Sequence, residues 1–163
     1  MNSSGCLRVQ PEAGYYSSVM VAPKQLYVVI VGCGRLGSYV ANKMSARGDR
    51  VVVIDSVEEA FEALSHEFSG YRIGGDATEF RVLQEARTSK ADLLVAVTYD
   101  DNVNLMVAQV AKKVFKVPNV MVRVNDPARE QVYRDMGIDT ICPSIVTGDA
   151  ITAIARALAF PAE

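Results

Sequence analysis

The residues with the most chemical potential stand in one turn. Gly32-Cys33-Gly34-Arg35-Leu36-Gly37 carries the GxGxxG spacing, directly after the apolar run Tyr27–Val31 and ahead of a helical stretch. In a phosphate-cradling turn the three glycines serve different ends. Gly32 permits the tight turn, Gly34 lets the backbone approach a phosphate, and Gly37 lets the helix lie close to the strand. The helix that begins there offers free N–H groups and a partial positive charge to an anion. Asp55 closes the next apolar run, 23 residues after Gly32. A carboxylate at that point suits a ribose diol and repels a 2′-phosphate, so the expected ligand is of adenosine or NAD type, not NADP. Strand, glycine turn, helix and acid together are more specific than the glycines alone. A ligand-free turn and a plain surface acid remain the alternatives.

Further candidates follow the later apolar runs. Arg35 can fork onto phosphate oxygens or simply point to solvent. Arg123, in Val122-Arg123-Val124, ends a strand edge where ligands bind in open α/β sheets; the alternative is a buried ion pair with a neighbouring acid. Gly74-Gly75-Asp76-Ala77-Thr78 lies beside Asp55 and can border a base, although Asp76 fits a helix cap better, with Glu79 completing a capping box. Thr98 can donate its hydroxyl to a ligand, and Asp100 or Asp101 caps the next helix. A divalent ion between those acids and a phosphate is a weaker option. Three features are decoys. Tyr39 and Lys43 have YxxxK spacing but follow the glycine turn too closely to reach a nicotinamide. His66, the single histidine, falls late in the second predicted helix. Cys33 fills a variable slot of the turn and is expected to be inert.

Strands are predicted at 27–31, 50–55, 71–74, 93–97, 119–124 and 140–142. Helices are predicted at 36–47, 57–68, 76–86, 101–115, 127–136 and 144–160. Unbroken β-branched runs such as Val51-Val52-Val53-Ile54 mark strands buried on both faces. Strands alternating with helices over short connections require βαβ units. The expected fold is α/β: a Rossmann-like, doubly wound, parallel six-stranded sheet in the order 3-2-1-4-5-6, helices on both faces, with a switch point between the first and fourth strands. Residues 1–24, rich in Ser, Gly and Pro, read as a flexible tail, and 25–163 as one nucleotide-binding domain.

Composition narrows the classes. The chain has 163 residues, with 17 basic and 19 acidic side chains for a net charge of −2. A general polyanion binder carries a basic excess, so nucleic acid is not an expected partner. Three cysteines without CxxC spacing argue against a disulfide framework or zinc site and fit a reducing, cytoplasmic setting. The longest apolar run, Leu26–Val31, is far short of the ~18 residues of a membrane span. No signal-peptide pattern is visible, so any membrane connection is expected to pass through a partner. The predicted helices at 101–115 and 144–160 carry more apolar residues than one sheet-facing stripe needs, which points to an oligomer.

These segments together resemble the TrkA-N domain, the KTN or RCK N-terminal domain that regulates potassium channels and transporters. The likeness rests on the glycine turn, the Val-Ile-Asp end of the second strand and Gly75-Asp76-Ala77-Thr78. It rests also on Asp100-Asp101-Asn102 with Asn104, on Val122-Arg123-Val124-Asn125-Asp126-Pro127 and on Gly137-Ile138-Asp139. It extends over about residues 26–158 and looks closest to stand-alone TrkA-type subunits. The resemblance implies a cytoplasmic regulatory subunit that binds NAD(H) or an adenine nucleotide (ATP, ADP or AMP). It implies assembly as a dimer or up to an octameric ring beneath a membrane potassium-transport pore protein, and no catalysis. By family position, Gly34, Arg35 and Leu36 face phosphate, Asp55 the ribose, Asp76 and Ala77 the adenine, and Thr98 the middle of the ligand. Arg123 matches an arginine of the family's fifth strand. The expected binding set is Gly32, Gly34, Arg35, Leu36, Gly37, Asp55, Ser56, Asp76, Ala77, Thr98 and Arg123. No RCK-C domain is expected, which suggests a companion RCK subunit. A small NAD-dependent oxidoreductase is the alternative, and it lacks a histidine or a well-placed Tyr/Lys pair for acid–base work. A redox-sensing DNA-binding regulator is less favoured, for want of a basic module.

Overall fold

The computed structural model describes residues 24–159. Apart from Lys24, the predicted tail lies outside the described residues. Six strands form one parallel sheet: β1 (Tyr27–Val31), β2 (Arg50–Asp55), β3 (Tyr71–Gly74), β4 (Leu93–Ala96), β5 (Asn119–Arg123) and β6 (Asp139–Ile141). Their spatial order is β3-β2-β1-β4-β5-β6, as the sequence predicts. In β1 the buried residues alternate between two cores. Val28 and Ile30 face one side with Val51 and Val53; Val29 and Val31 face the other with Val52 and Ile54. A strand buried on both faces has no need of polar residues, which explains the unbroken β-branched runs.

Five α-helices accompany the sheet: α1 (Arg35–Ala46), α2 (Phe80–Glu85), α3 (Asp101–Lys113), α4 (Glu130–Asp135) and α5 (Pro143–Ala159). Helix α1 covers the Val28/Ile30 face through Ala41, whereas α2 and α3 cover the other through Val82, Leu83, Val107 and Ala111. The predicted helix 57–68 is not formed. A 3-10 turn over Glu58–Ala63 takes its place, and Leu64 returns to an extended conformation. Side chains of α1 compete for the backbone here: Ser65 N–H donates to Asn42 Oδ1 (3.0 Å) and Ser69 N–H to Ser45 Oγ (3.1 Å). The Ser65 N–H, drawn into a bond with another element, cannot also continue a helix, and the Ser69 N–H just past the predicted end is held in the same way. His66 therefore sits in an exposed turn, not on a helix.

The predicted capping box also fails. Asp76 Oδ1 accepts Thr78 N–H at 2.8 Å in a local turn, and Glu79 pairs with Arg81 at 2.7 Å. Helix α2 starts only at Phe80, without a side-chain cap. Most of the apolar excess of α3 is absorbed internally, since Val103, Leu105, Val110 and Phe115 pack against the core cluster. Helix α5 differs: it contains no buried residue.

Candidate functional site

The switch point, where β1 and β4 lie side by side, opens a cleft of ≈ 520 Å³ at the carboxyl ends of β1 to β5. That volume lies within the range of small-molecule sites. Gly32, Gly34, Arg35, Leu36, Asp55, Ser56, Asp76, Ala77, Thr98 and Arg123 all line it. Gly37 does not. It lies beneath the turn, where a Cβ would come within 1.8 Å of Gly32 O. Gly37 therefore permits the turn to exist without bordering the cleft. Gly32 has φ +100, and a Cβ there would meet Thr98 N at 3.0 Å, so this position needs glycine on both counts.

Gly34 stands at the N-cap of α1, and no side chain caps the helix. The first intrahelical bond runs from Ser38 N–H to Gly34 C=O at 2.9 Å. The N–H groups of Arg35, Leu36 and Gly37 precede it and have no intrahelical acceptor. An uncapped helix end with its dipole opening on a cleft is chemically suited to an anion. Asp55, half-buried at the end of β2, holds the turn from the side. Its Oδ2 accepts Cys33 N–H at 2.6 Å and its Oδ1 accepts Val57 N–H at 2.9 Å. A carboxylate has about four acceptor positions, so these bonds leave capacity for a diol. Cys33 itself is 1% exposed. Burial, and then the charge of Asp55, push its thiol up to about 11, so it stays protonated and weakly nucleophilic.

The opposite wall is built differently. Asn104 is fully buried on α3. Its Oδ1 accepts Thr98 N–H (2.9 Å) and Thr98 Oγ1–H (2.8 Å), and its Nδ2 donates to Thr98 C=O (3.1 Å) and Arg123 C=O (3.1 Å). One amide thus ties the ends of β4 and β5 together. The Thr98 hydroxyl, which the sequence reading offered to a ligand, bonds Asn104 Oδ1 (2.8 Å) and lies 3.2 Å from Asp100 C=O. Asp100 caps α3, accepting Asn102 N–H at 2.8 Å. Asp101 reaches across to Asn125 N–H (2.9 Å) and Asn125 Nδ2 (2.8 Å). Both acids are thereby engaged by N–H donors, and no described group of three or more His, Cys, Asp or Glu converges to hold a metal ion.

Arg123 forms no ion pair among the described residues; its Nε is buried without a hydrogen-bond partner. The alternative of an ion pair with a neighbouring acid is not formed among the described residues: Asp100 accepts backbone N–H groups, and Asp101 accepts N–H groups of Asn125. Instead, the guanidinium lies 4.6 Å from the ring of Tyr99. Tyr39 and Lys43 pair with each other on exposed α1, at 5.6 Å from ring to Nζ, away from the cleft. Sequence reasoning missed Tyr99 and the positioning role of Asn104. The signal for Asn104 was present: it shares the inward register of α3 with Val107, Ala108 and Ala111, where an amide must be satisfied internally.

A parallel sheet wound in two directions from a glycine turn defines the Rossmann-like α/β class. Within that class, residues 28–144 match the family model of the TrkA-N domain, and the chain belongs to this family. It is 38% identical over 124 residues to a Trk system potassium uptake protein TrkA of Streptomyces coelicolor, covering 76% of this chain and 56% of that relative. The chain thus spans little more than half the length of that protein. In fold it is similar to the Shewanella denitrificans Kef CTD in AMP-bound form (TM-score 0.71, 22% identity, 81% of this chain and 80% of that one). It is likewise similar to the GsuK channel bound to NAD (TM-score 0.61, 17% identity, 75% and 22%). No helix among the described residues is long and apolar enough to cross a membrane.

Proposed function

We propose that this domain is a nucleotide-binding regulatory unit of potassium transport, acting from the cytoplasm on a membrane pore protein and carrying out no chemistry. One observation carries the reading: a cleft at the switch point that joins the uncapped N-terminus of α1 to the Asp55 carboxylate. The ligand class is NAD(H) or an adenine nucleotide (AMP, ADP or ATP). Phosphate lies at Gly34–Leu36, with Arg35 and Arg123 at hand. Ribose lies at Asp55 and Ser56, and the base against Asp76 and Ala77. The likeness to proteins described with AMP and with NAD supports the class. The name of the Streptomyces relative supports the transport context. The lining contains no His, Lys or Cys, and its carboxylates Asp55, Asp76 and Asp100 each accept backbone N–H groups.

Regulation requires that the ligand bind two states unequally. We propose that these are arrangements of an oligomer. Helix α5 leaves Val146, Ile151, Ile154 and Leu158 exposed, Leu158 by 78%, which fits cover by another subunit, either a second copy or a companion RCK subunit. Calorimetric titration with AMP, ADP, ATP, NAD, NADH and NADP tests the reading. The first five bind and NADP binds more weakly. A ligand at 100 times its Kd adds about 2.7 kcal/mol to stability. Asp55→Ala weakens every ribose-containing ligand. Absence of binding by all six removes the proposal. Recovery of a potassium-transport pore protein from membranes with this subunit tests the partner.

A further inference from the structure

Tyr99 is the cleft residue that the fold does not explain. It stands three residues past the end of β4 and is 65% exposed, so burial does not account for an aromatic side chain there. Its ring nevertheless has a defined place. One face lies against Arg123, 4.6 Å from the guanidinium carbon. Its Cε2 lies 3.5 Å from the point where a Cβ on Gly34 would stand. The ring therefore covers the bare backbone of Gly34, at the uncapped end of α1, on the side where a side chain is lacking.

We infer that Tyr99 is a built-in occupant of the anion subsite, filling the space over Gly34 between Arg35 and Arg123 until a phosphate group displaces it. The inference rests on the nucleotide reading of the cleft and adds a residue that sets its affinity and selectivity. Three features support it. The Arg35 guanidinium, and after it that of Arg123, hold the Tyr99 phenol below its ordinary value of 10.0, so both cations act on the same hydroxyl. The buried Nε of Arg123 has no hydrogen-bond acceptor, which leaves a charged donor that an aromatic face meets only in part. A phosphate offers charge-assisted, bidentate bonds to guanidinium, stronger than anything a neutral phenol provides. The phenol can hold the two arginines in the empty site and yield to the stronger acceptor.

Displacing the ring lowers affinity for any ligand with a phosphate at this point and leaves a phosphate-free ligand little affected. The test is calorimetry of ADP and of adenosine with the wild-type chain, Tyr99→Ala and Tyr99→Phe. Because Tyr99 is exposed, the variants keep the fold, which circular dichroism checks. Tyr99→Ala is expected to tighten ADP about two- to fivefold, the size of a surface cation–π contact, and to leave adenosine unchanged. Tyr99→Phe, which retains the ring but not the hydroxyl, falls between. The gain from Tyr99→Ala disappears in an Arg35→Ala background. ADP bound equally or more weakly by Tyr99→Ala than by wild type overturns the inference alone. ADP bound by none of the proteins overturns the nucleotide reading and the inference with it.

Discussion

On the β1–α1 side of the cleft, shape comes from atoms that are missing; on the β4–β5 side, it comes from one buried amide. Gly32 and Gly37 bring backbone to within contact of backbone, and the carbonyl of Gly32 occupies the space a Cβ on Gly37 would need. Across the switch point, Asn104 satisfies both backbone groups of Thr98 and the carbonyl of Arg123. The first device acts through repulsion and tolerates no substitution. The second acts through hydrogen bonds and fails in proportion to those lost. Steric devices leave a fixed residue type at a fixed spacing. Polar devices leave a residue whose partners lie far along the chain.

The largest effect is expected at Gly37. Gly37→Ala places a methyl 1.8 Å from Gly32 O, against backbone that cannot turn aside. A loss of about 3 kcal/mol or more is expected, read as a fall in the urea midpoint or as failure to fold. A variant as stable as wild type would mean that the Gly32 carbonyl does not fix this position as glycine. Asn104→Leu is next. It keeps a similar volume and strands Thr98 N–H, Thr98 C=O and Arg123 C=O, at a cost of about 2–3 kcal/mol. Nucleotide affinity falls with it, since Thr98 and Arg123 lose their common anchor. A loss below about 0.5 kcal/mol, typical of an exposed site, means the amide does not hold the wall. Thr98→Val sharpens the same point. It removes the hydroxyl bonded to Asn104 Oδ1 at 2.8 Å and is expected to cost about 1 kcal/mol, with ADP affinity unchanged. A drop in affinity at constant stability would return the hydroxyl to the ligand.

The same contrast explains what could be read in the chain beforehand. Strand order was legible because β-branched runs buried on both faces have one place to go, between helices in a parallel sheet. Gly32 and Gly37 were legible because sterics restrict them to glycine, and Asp55 because a carboxylate ending the second strand stands beside the turn, where it accepts Cys33 N–H. Segment 57–68 misled because Ala60, Phe61 and Leu64 also suit a helix. The bonds that prevent it come from Asn42 and Ser45, more than twenty residues earlier. Asp76 and Glu79 had capping-box spacing, but each found a closer partner, Thr78 N–H and Arg81. Thr98 lines the cleft, and its bond to Asn104 could not be read in the chain, since that partner on α3 is set by tertiary packing. Tyr99 left no trace in periodicity at all. A lone aromatic after a strand has no pattern until the arginines of two other elements are beside it.

The effect that is smallest at neutral pH, and emerges only in alkali, concerns the β1–α1 wall. Cys33 lies within the glycine turn, and its thiol is raised from 9.0 to about 11 by burial and then by Asp55. Folding therefore favours the protonated form. An unfolded chain loses this proton near pH 9 while the folded chain keeps it, so folding stability from this group is complete below pH 9 and declines as pH rises toward 11. Tyrosines and lysines titrate over the same interval, and the comparison must be with Cys33→Ala, which removes this group alone. Wild type is expected to lose stability faster than the variant between about pH 9 and about pH 11, with parallel curves below that window. Urea midpoints across the range measure it. In native protein near pH 8, iodoacetamide should leave Cys33 unmodified, because the small thiolate fraction is also shielded. Rapid alkylation of Cys33 in the folded state would mean that the turn opens, and that its close backbone contacts hold the β1–α1 wall less firmly than Asn104 holds the other.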